Sequence, residues 1–346
     1  MVGEQVCDTV RFAAIGLNHG HIYGQVNLLL RAGGELAAFY AVEPELVAKF
    51  RETYPQARLA ATADEILEDP DIRLVVSAAI PSERARLGIA AMRHGKDFMS
   101  DKPGFTRFED LAEARSVQAE TGRIYSICFS ERLENRATVR ALEMAQAGAI
   151  GQVVQTIGMG PHRTSLPSRP DWFFRREQYG GILIDIASHQ IDQFLMFTGS
   201  TGAEVVAAQV ANYKHRQYPE LEDFGEVLLR GEGGTGYIRV DWYTPDGLGT
   251  WGDGRLTVLG TEGYMEIRKN CDIAGRPGGE HLFLVDQKGT HYIPCQNVEP
   301  PYGRQLIADV LQHTQIAMPQ EHPFTVSEIA LQAQEHADRL GNLGHD

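Results

Sequence analysis

Residues 10–21 read VRFAAIGLNHGH, and this stretch decides the fold. The apolar run 10–15 predicts a buried strand, and Gly16 predicts a tight turn into a helix over residues 21–31. Such a turn places backbone N–H groups and a helix N-terminus where they can receive a pyrophosphate, as dinucleotide-binding domains do. Asn18 and His21 stand where that fingerprint usually has small residues. The turn by itself is therefore equally consistent with an ordinary strand–helix connection.

Outward from this stretch, the first ~130 residues alternate short apolar runs with amphipathic segments, which predicts a parallel sheet. Strands are predicted at residues 10–15, 36–41, 74–79, 97–100 and 124–129. Helices are predicted at residues 21–31, 45–54 and 82–94, and after the capping boxes Thr62–Glu65 and Thr106–Glu109, the last ending at Gly122. This pattern is typical of a doubly wound α/β sheet, the Rossmann arrangement, which has six strands.

The pattern changes after about Arg132. One helix over residues 137–147 precedes strands at 152–157, 204–212, 225–229, 236–242, 256–259, 264–267 and 282–285. Short glycine-rich turns separate some of these strands, which favours hairpins and an open, mostly antiparallel sheet in an α+β domain. A last amphipathic helix is predicted from 324 to about 340. We therefore expect an NAD(P)-binding domain over 1–130 and a substrate-binding and oligomerisation domain over 131–346.

Composition excludes several classes of protein. The 346 residues include 32 basic and 46 acidic side chains, a net charge of −14, which disfavours nucleic acid as the principal ligand. Apolar runs fall short of the ~20 residues of a membrane-spanning helix, and the acidic start of the chain does not resemble a signal peptide. Four widely spaced cysteines predict a cytoplasmic protein without a zinc or redox motif.

Glu43 lies just beyond the second predicted strand, where dinucleotide-binding domains place the acid that binds the ribose of the cofactor. An arginine that could hold a 2′-phosphate does not follow directly, so the sequence slightly favours NAD over NADP. Glu43 also precedes a predicted helix, where a negative charge suits the helix dipole. Both interpretations remain open.

Asp101-Lys102-Pro103 follows the strand predicted at residues 97–100. Ligands of open α/β sheets bind outside the carboxyl ends of the strands, so Lys102 is placed to reach a substrate hydroxyl. The alternative is a solvated surface lysine. Its position makes the functional interpretation the better one.

Residues 180–195 read GGILIDIASHQIDQFL and predict a buried helix that begins at two glycines. Asp185, Ser188, His189 and Asp192 recur at intervals of three and four residues, which aligns them in one stripe. Burying that stripe without partners would be costly, so we expect it to face a polar crevice. Asp185 and His189 can act together as a proton-transferring pair, although a buried Asp–His hydrogen bond without catalysis is the alternative.

Two irregular segments hold aromatic and polar side chains that suit a polyhydroxylated ligand. Residues 159–179 contain His162, Arg163 and Trp172, and residues 242–254 contain Trp242 and Trp251. Such side chains also form satellite cores or subunit contacts, and the sequence does not separate these possibilities. His19, His21 and His162 lack the spacing of metal ligands, so we expect no metal site.

In combination, the glycine turn, Asp101-Lys102-Pro103 and the Gly-Gly-x-x-x-Asp-x-x-x-His pattern resemble the Gfo/Idh/MocA oxidoreductases from Val10 to the last helix. The resemblance implies a Rossmann domain, a C-terminal domain with an open antiparallel sheet, and NAD(P)-linked oxidation of a secondary hydroxyl on a sugar or cyclitol. It also implies a homodimer or homotetramer joined through that sheet.

The family's Glu-Lys-Pro lysine corresponds to Lys102, with Asp101 replacing the glutamate, and its Asp-x-x-x-His pair corresponds to Asp185 and His189. The family's Thr-Pro-Asn-x-x-His segment keeps Pro81 here but loses its histidine. We assign cofactor binding to Gly16, Asn18, His19, His21, Ile22, Glu43, Ala79, Pro81, Asp101 and Lys102. We assign substrate binding to Lys102, His162, Arg163, Trp172, Asp185 and His189.

Three functions fit these residues. The first is a dehydrogenase in which His189 takes the hydroxyl proton, Lys102 stabilises the alkoxide and Asp185 orients the pair or relays protons. The second is a glycosidase that holds its NAD through a cycle of oxidation, elimination and reduction. The third is a non-catalytic dinucleotide sensor, which would not need Lys102, Asp185 and His189 together.

Overall fold

The computed structural model describes residues 9–341 of the chain. These residues form two compact units, one of 9–104, 109–128 and 301–323 and the other of 105–108, 129–300 and 324–341. Cys7 and the N-terminal segment assessed for a signal peptide lie outside the described residues. Between residues 9 and 341, helices with the length and apolar character needed to cross a membrane are absent.

The first unit contains a parallel sheet of six strands in the order β3-β2-β1-β4-β5-β6. The strands are β1 (Arg11–Ile15), β2 (Glu35–Tyr40), β3 (Arg58–Leu59), β4 (Leu74–Ser77), β5 (Asp97–Asp101) and β6 (Tyr125–Cys128). This order is that of a doubly wound dinucleotide-binding sheet, and it confirms the predicted Rossmann fold. The carboxyl ends of β1 and β4 lie side by side where the strand order reverses, so side chains after these strands share one edge.

The second unit contains a sheet of nine strands in the order β14-β13-β12-β11-β7-β10-β9-β8-β15. The strands are β7 (Val153–Pro161), β8 (Glu204–Ala211), β9 (Phe224–Gly231), β10 (Gly234–Asp241), β11 (Arg255–Gly260), β12 (Tyr264–Arg268), β13 (His281–Asp286), β14 (Gly289–Ile293) and β15 (Asp338–Arg339). The β7–β10 and β8–β15 pairs are parallel and the other pairs antiparallel, which confirms the predicted mostly antiparallel sheet.

The helices are α1 (His21–Arg31), α2 (Pro44–Thr53), α3 (Ala63–Leu67), α4 (Pro81–Arg93), α5 (Phe108–Thr121), α6 (Ser130–Leu133), α7 (Arg136–Gln146), α8 (Arg176–Tyr179), α9 (Ile182–Asp185), α10 (Ala187–Thr198), α11 (Tyr302–Gln312) and α12 (Glu321–Glu335). In the second unit, α10 packs on β7 and β10 and α7 on β12 and β13. Glycines in the strands permit this close packing. A Cβ added at Gly158 would lie 2.7 Å from the Gln190 side chain, and one at Gly236 would lie 2.7 Å from Phe194.

The structure corrects three details of the predicted elements. The helix predicted over residues 180–195 is broken into α9 and α10 at Ile186, whose carbonyl accepts the N–H of His189 only three residues later (3.1 Å). The last helix ends at Glu335, because the chain beyond it joins the sheet as β15, with the Leu340 N–H bonded to Val210 (2.9 Å). The capping box at Thr106 is wrong, since α5 begins only at Phe108.

Candidate active site

The first position of the turn after β1, residue 16, can be occupied only by glycine. Gly16 has a φ of +78°, and a Cβ added there would lie 2.5 Å from the Cβ of Ala79. The Gly16 N–H donates to the carbonyl of Tyr40 (3.0 Å), and its carbonyl accepts the N–H of Ala78 (3.1 Å). The turn is therefore held between the ends of β2 and β4, at the edge where such sheets bind ligands.

The N-terminus of α1 follows this turn and lacks a side-chain cap at Gly20. A Cβ added at Gly20 would meet no atom of the described residues within 4 Å, so the space beside the helix start is open. His21 and Ile22 are the first two residues of the helix. The N–H groups of His21 and Ile22 donate to Nδ1 and to the carbonyl of His19 (each 3.2 Å), so the open space and the positive end of the helix dipole are what suit an anionic group such as a pyrophosphate.

The side chain of Glu43 contacts this turn and does not cap the helix that follows it. It is the N-cap residue of α2, but its side chain makes no capping hydrogen bond. Its carboxylate instead accepts the side-chain N–H of Asn18 at 2.6 Å. The arrangement favours the ribose-binding interpretation of Glu43 over that of a charge serving only the helix dipole.

Lys102 is buried, with 5% of its surface exposed, so it is not the solvated lysine considered above. The Lys102–Pro103 peptide bond is cis. The segment is anchored by Arg84, a buried residue of α4 whose guanidinium donates to the carbonyls of Ala79 (2.7 Å), Lys102 (2.5 Å) and Pro103 (3.0 Å). Arg84 thereby connects the segment after β5 to the start of α4, where Pro81 is the first residue.

Asp101 lies at the end of β5 and is surrounded by cationic or potentially cationic groups. The ring Nδ1 of His21 is 2.9 Å from one carboxylate oxygen, and the other oxygen is 3.5 Å from Nδ1 of His19 and 3.2 Å from Arg84. Burial by itself would raise the pKa of Asp101, but His21 and Arg84 hold it well below its ordinary value. Burial and the charge of His21 lower the pKa of His19 well below 6.5.

His19, His21 and Asp101 each offer one possible metal-ligand atom, and these atoms lie within 4.8 Å of one another. The charges around them do not suit a cation, because Arg84 already pairs with the carboxylate and the charge of Lys102 also acts on His19. The same surplus of positive charge suits an anionic ligand. That the protein lacks a metal stays a prediction.

In the second unit, Asp185 and His189 lie on separate helices, at the end of α9 and in the first turn of α10. The two glycines before α9 have φ values of +91° and +108°, and a Cβ added at Gly181 would overlap the side chain of Gln334, 2.2 Å away. His189 is buried, with 3% of its surface exposed, and its ring centroid is 6.4 Å from that of Phe129.

The predicted polar stripe does not extend to Asp192. Both oxygens of this fully buried carboxylate accept hydrogen bonds from Arg132, each at 2.7 Å. The interpretation of Asp192 as a residue facing a crevice is therefore wrong, because a long-range ion pair satisfies it within the unit.

A second buried carboxylate lies beside this pair and was not foreseen. Glu131 of α6 forms an ion pair with Lys269 and accepts hydrogen bonds from Gln190 (3.0 Å) and Gln193 (3.4 Å) of α10. Burial would raise its pKa, but the charges of Lys269, His189 and His162 lower the pKa of Glu131 to about 2. Glu131 and Lys269 are 138 positions apart, so no local pattern could have connected them.

The two irregular segments meet at an aromatic cluster. The ring of His162 lies 5.4 Å from that of Trp242 and 4.6 Å from that of Trp251, measured between centroids. Arg169 is stacked 4.3 Å from the centre of the Phe173 ring and 4.8 Å from that of Trp242. Burial lowers the pKa of Arg169, and the charge of Asp185 opposes this.

Two other predicted substrate residues have different surroundings. Arg163 donates to the carbonyls of Pro245 (3.0 Å) and Leu248 (2.5 Å), so its guanidinium joins the two irregular segments. Trp172 is partly exposed, and its ring centroid is 6.3 Å from that of Phe173. Lys102 belongs to the first unit, whereas His162, Arg163, Trp172, Asp185 and His189 belong to the second.

Two family models match the chain. The one described as "Oxidoreductase family, NAD-binding Rossmann fold" matches residues 10–129, and the "GFO/IDH/MocA C-terminal domain" matches residues 138–266. These ranges contain the glycine turn, Lys102, Asp185 and His189.

Individual proteins that resemble the chain are consistent with these two family models. The chain is 25% identical to scyllo-inositol 2-dehydrogenase (NAD(+)) of Bacillus subtilis over 294 residues, 82% of this chain and 79% of that protein. Matches to several other curated relatives span only about half of their length. A crystal structure from Erwinia carotovora atroseptica SCRI1043, provisionally named an oxidoreductase, is 45% identical with a TM-score of 0.94, covering 96% of this chain and 100% of that one.

A levoglucosan dehydrogenase solved with NADH and levoglucosan has the same fold. It is 18% identical, with a TM-score of 0.79 over 95% of this chain and 98% of that one.

Proposed function

The chain belongs to the Gfo/Idh/MocA family of NAD-binding oxidoreductases, and from that premise we propose that it transfers a hydride between NAD(P) and a secondary alcohol. The alcohol belongs to a sugar, a cyclitol or a sugar derivative. The observation that carries the proposal is the buried Lys102, which Arg84 anchors at the edge of the sheet where the Gly16 turn and the open start of α1 also lie.

The residues at this edge fit a dinucleotide. Gly16 makes room for the turn, the positive end of the α1 dipole faces open space that suits the pyrophosphate, and Glu43 is held by Asn18 where it can accept a hydrogen bond from a ribose hydroxyl. The remaining cofactor-binding residues are His19, His21, Ile22, Ala79, Pro81, Asp101 and Lys102. NAD is favoured over NADP, because a 2′-phosphate would be repelled by the carboxylate of Glu43. When bound, the dinucleotide supplies the hydride chemistry.

The protein's own residues handle the hydroxyl proton. His189 takes the proton as general base during oxidation, and Lys102 donates a hydrogen bond to the same oxygen as negative charge develops on it. Asp185 orients this pair or passes the proton onward. The support for these roles is the correspondence with the family's lysine and Asp-x-x-x-His residues, together with the burial of Lys102 and His189.

The substrate class follows from the relatives and from the aromatic cluster. The names of two relatives specify a cyclitol and an anhydrosugar as substrates. His162 and Trp172 offer rings and polar edges to such a ligand, as aromatic side chains in carbohydrate sites do. Arg163 contributes by holding the two irregular segments together.

We also propose a homodimer or homotetramer that forms through the second sheet. The face of this sheet away from α7 and α10 exposes Leu228 (38%), Leu259 (41%) and Tyr264 (43%). Mass photometry of Leu228→Glu tests this arrangement, because an introduced charge at the interface should raise the monomer fraction. A cytoplasmic location stays a prediction from the cysteine content, and cell fractionation tests it.

The activity is tested by following NADH and NADPH formation with a panel of polyols that includes scyllo-inositol and levoglucosan. The wild-type enzyme should oxidise at least one of them, and Lys102→Met should lower kcat by roughly 10²–10³-fold while NAD(H) still binds. The exposed Lys288→Met is the matched control and should leave kcat unchanged. Unaltered turnover in Lys102→Met would contradict the assigned role.

The same panel separates the alternatives. Cleavage of a glycoside without net NADH would indicate the oxidation–elimination–reduction cycle. NAD(H) binding with no turnover on any carbohydrate, together with capture of a protein partner only when NAD(H) is present, would indicate a sensor.

A further inference from the structure

The first turns of α10 are fixed by two consecutive residues of α6. Arg132 binds both oxygens of Asp192, and its neighbour Glu131 accepts the side-chain N–H groups of Gln190 and Gln193. Gln190 directly follows His189 in sequence and is packed against β7, where a Cβ at Gly158 or Gly160 would lie within 3.0 Å of its side chain. The backbone that carries His189 is therefore held from both sides.

The partner of Glu131 is also buried. Lys269 follows β12, has 4% of its surface exposed, and donates to the side-chain oxygen of Gln193 (3.0 Å) as well as to Glu131. An ion pair inside a protein is rarely needed for stability, because well-packed apolar residues of similar size usually serve equally well. Its presence next to α10 therefore requires another explanation.

We propose that Glu131 is a positioning residue for His189, which fixes the first turns of α10 through Gln190 and Gln193 and, by its negative charge, favours the protonated imidazole. The inference rests on the proposed role of His189 as the proton acceptor. During alcohol oxidation the imidazole becomes positively charged, and a fixed carboxylate held by Lys269 stabilises that charge without itself taking the proton. Electrostatic coupling between the two residues agrees with this role, since the charge of His189 helps to lower the pKa of Glu131.

Several other charged groups belong to the elements around this pair. The positive charge of Lys269 opposes the effect of the negative charge of Glu131 on His189. Lys269 bonds to Gln193, which lies one turn further along α10 than His189. Asp192 is neutralised by Arg132. Asp185 at the end of α9, Arg169 in the irregular segment, His162 after β7, Arg239 and Asp241 of β10 and the charged residues of α7 also belong to these elements, and none of these is altered in the test.

The test is a direct titration of His189 by NMR on the full-length protein labelled at the histidine Cε1 carbons. The signal of His189 among the 12 histidines is identified by its loss in His189→Asn. Glu131→Gln should lower the titration midpoint of His189 by roughly 0.5–1 pH unit, because a negative charge near the imidazolium is removed. In Glu131→Gln the buried Lys269 loses its carboxylate partner, and that variant could fail to fold. The double variant Glu131→Gln/Lys269→Met removes both charges and should fold in that case. Its His189 midpoint should also lie below that of the wild type.

Asp286→Asn is the matched control. The Asp286 carboxylate lies 3.1 Å from the ring of another histidine, His291, so this variant removes a carboxylate beside a different imidazole and should leave the midpoint of His189 in place. The acid limb of kcat/KM against pH should move with the His189 midpoint. His189 midpoints within about 0.2 pH unit of wild type in both Glu131 variants would overturn the proposal, since a purely structural role changes only stability. If no polyol is oxidised, the titration still decides the role of Glu131, and only the proposed function fails.

Discussion

Asp101 in the first unit and Glu131 in the second are both buried carboxylates, with 2% and 8% of their surface exposed, yet their surroundings differ. The imidazoles beside Asp101 reach solvent, since the side chains of His21 and His19 are 46% and 24% exposed. The Lys269 side chain, which pairs with Glu131, is only 2% exposed. A low pKa is common to both carboxylates, so it does not by itself identify a ligand site.

The exposure of the partners separates the two clusters. A ligand can contact His19 and His21 while Asp101 holds them from behind, which is what a cofactor site requires. Around Glu131, the contacts of the carboxylate lead to Gln190, Gln193 and Lys269, all of them buried, so this cluster acts on the helix that carries His189. One buried carboxylate thus holds partly exposed imidazoles at the proposed cofactor edge, and the other holds the helix of the proposed base, His189.

The largest expected effect comes from removing the permanent charge beside Asp101. Arg84→Met leaves this carboxylate and three backbone carbonyls without their guanidinium partner, and it should lower the free energy of unfolding by about 3–5 kcal/mol. Guanidinium chloride denaturation measures this, with the exposed Arg86→Met as control, for which a change within about 0.5 kcal/mol is expected. A loss below about 1 kcal/mol for Arg84→Met would mean that water replaces the guanidinium.

The corresponding change in the second cluster is Lys269→Met. It leaves Glu131 buried without a cation and should cost about 3 kcal/mol of stability, whereas Glu131→Gln/Lys269→Met should cost about 1 kcal/mol. The same denaturation experiment gives both values. Equal losses of stability in the single and the double variant would show that Lys269 contributes packing rather than charge. Only the cluster around Asp101 would then depend on a buried ion pair.

The first cluster was largely predictable from the sequence, and the second was not. Gly16, Glu43 and Asp101 each follow a strand or a turn that periodicity reveals, and the carboxyl ends of parallel strands meet at one edge. Arg84 escaped notice because it binds backbone carbonyls, which carry no sequence signal. Glu131 and Lys269 come together through the position of α6 and the register of β12, which no local pattern encodes.

Short elements were missed for a related reason. The strands β3 and β15 have two residues each, too few to show an alternation of apolar and polar side chains. The break at Ile186 was missed because the apolar run continues through it without a proline or glycine.

The pH dependence of stability should differ between the clusters. Folding keeps His19 neutral, so the unfolded chain binds the extra proton below pH 6.5 and stability falls as the pH drops through that value. The lowered pKa of Glu131 stabilises the fold above its ordinary value of 4.5, and this contribution is lost as the pH falls towards 2. Each group changes the free energy of unfolding by at most about 1.4 kcal/mol per pH unit.

Thermal unfolding across a pH series measures these contributions. His19→Gln should flatten the curve just below pH 6.5, and Glu131→Gln/Lys269→Met should flatten it only below about 4.5. If the curves of stability against pH for both variants flattened over the same pH range, the two clusters would not differ in their pH dependence.

The smallest effect on stability should come from the most exposed partner. His21→Asn removes one hydrogen bond to Asp101 at a half-exposed position, so the free energy of unfolding should fall by about 1 kcal/mol or less. Because His21 begins α1, where the pyrophosphate is proposed to bind, its loss should nevertheless weaken NAD(H) binding by roughly tenfold. Calorimetric titration with NADH measures this, with the exposed His94→Asn as control. Unchanged affinity for NADH together with a large loss of stability would show that His21 supports the fold, as is proposed for Glu131. The two clusters would then not differ in function.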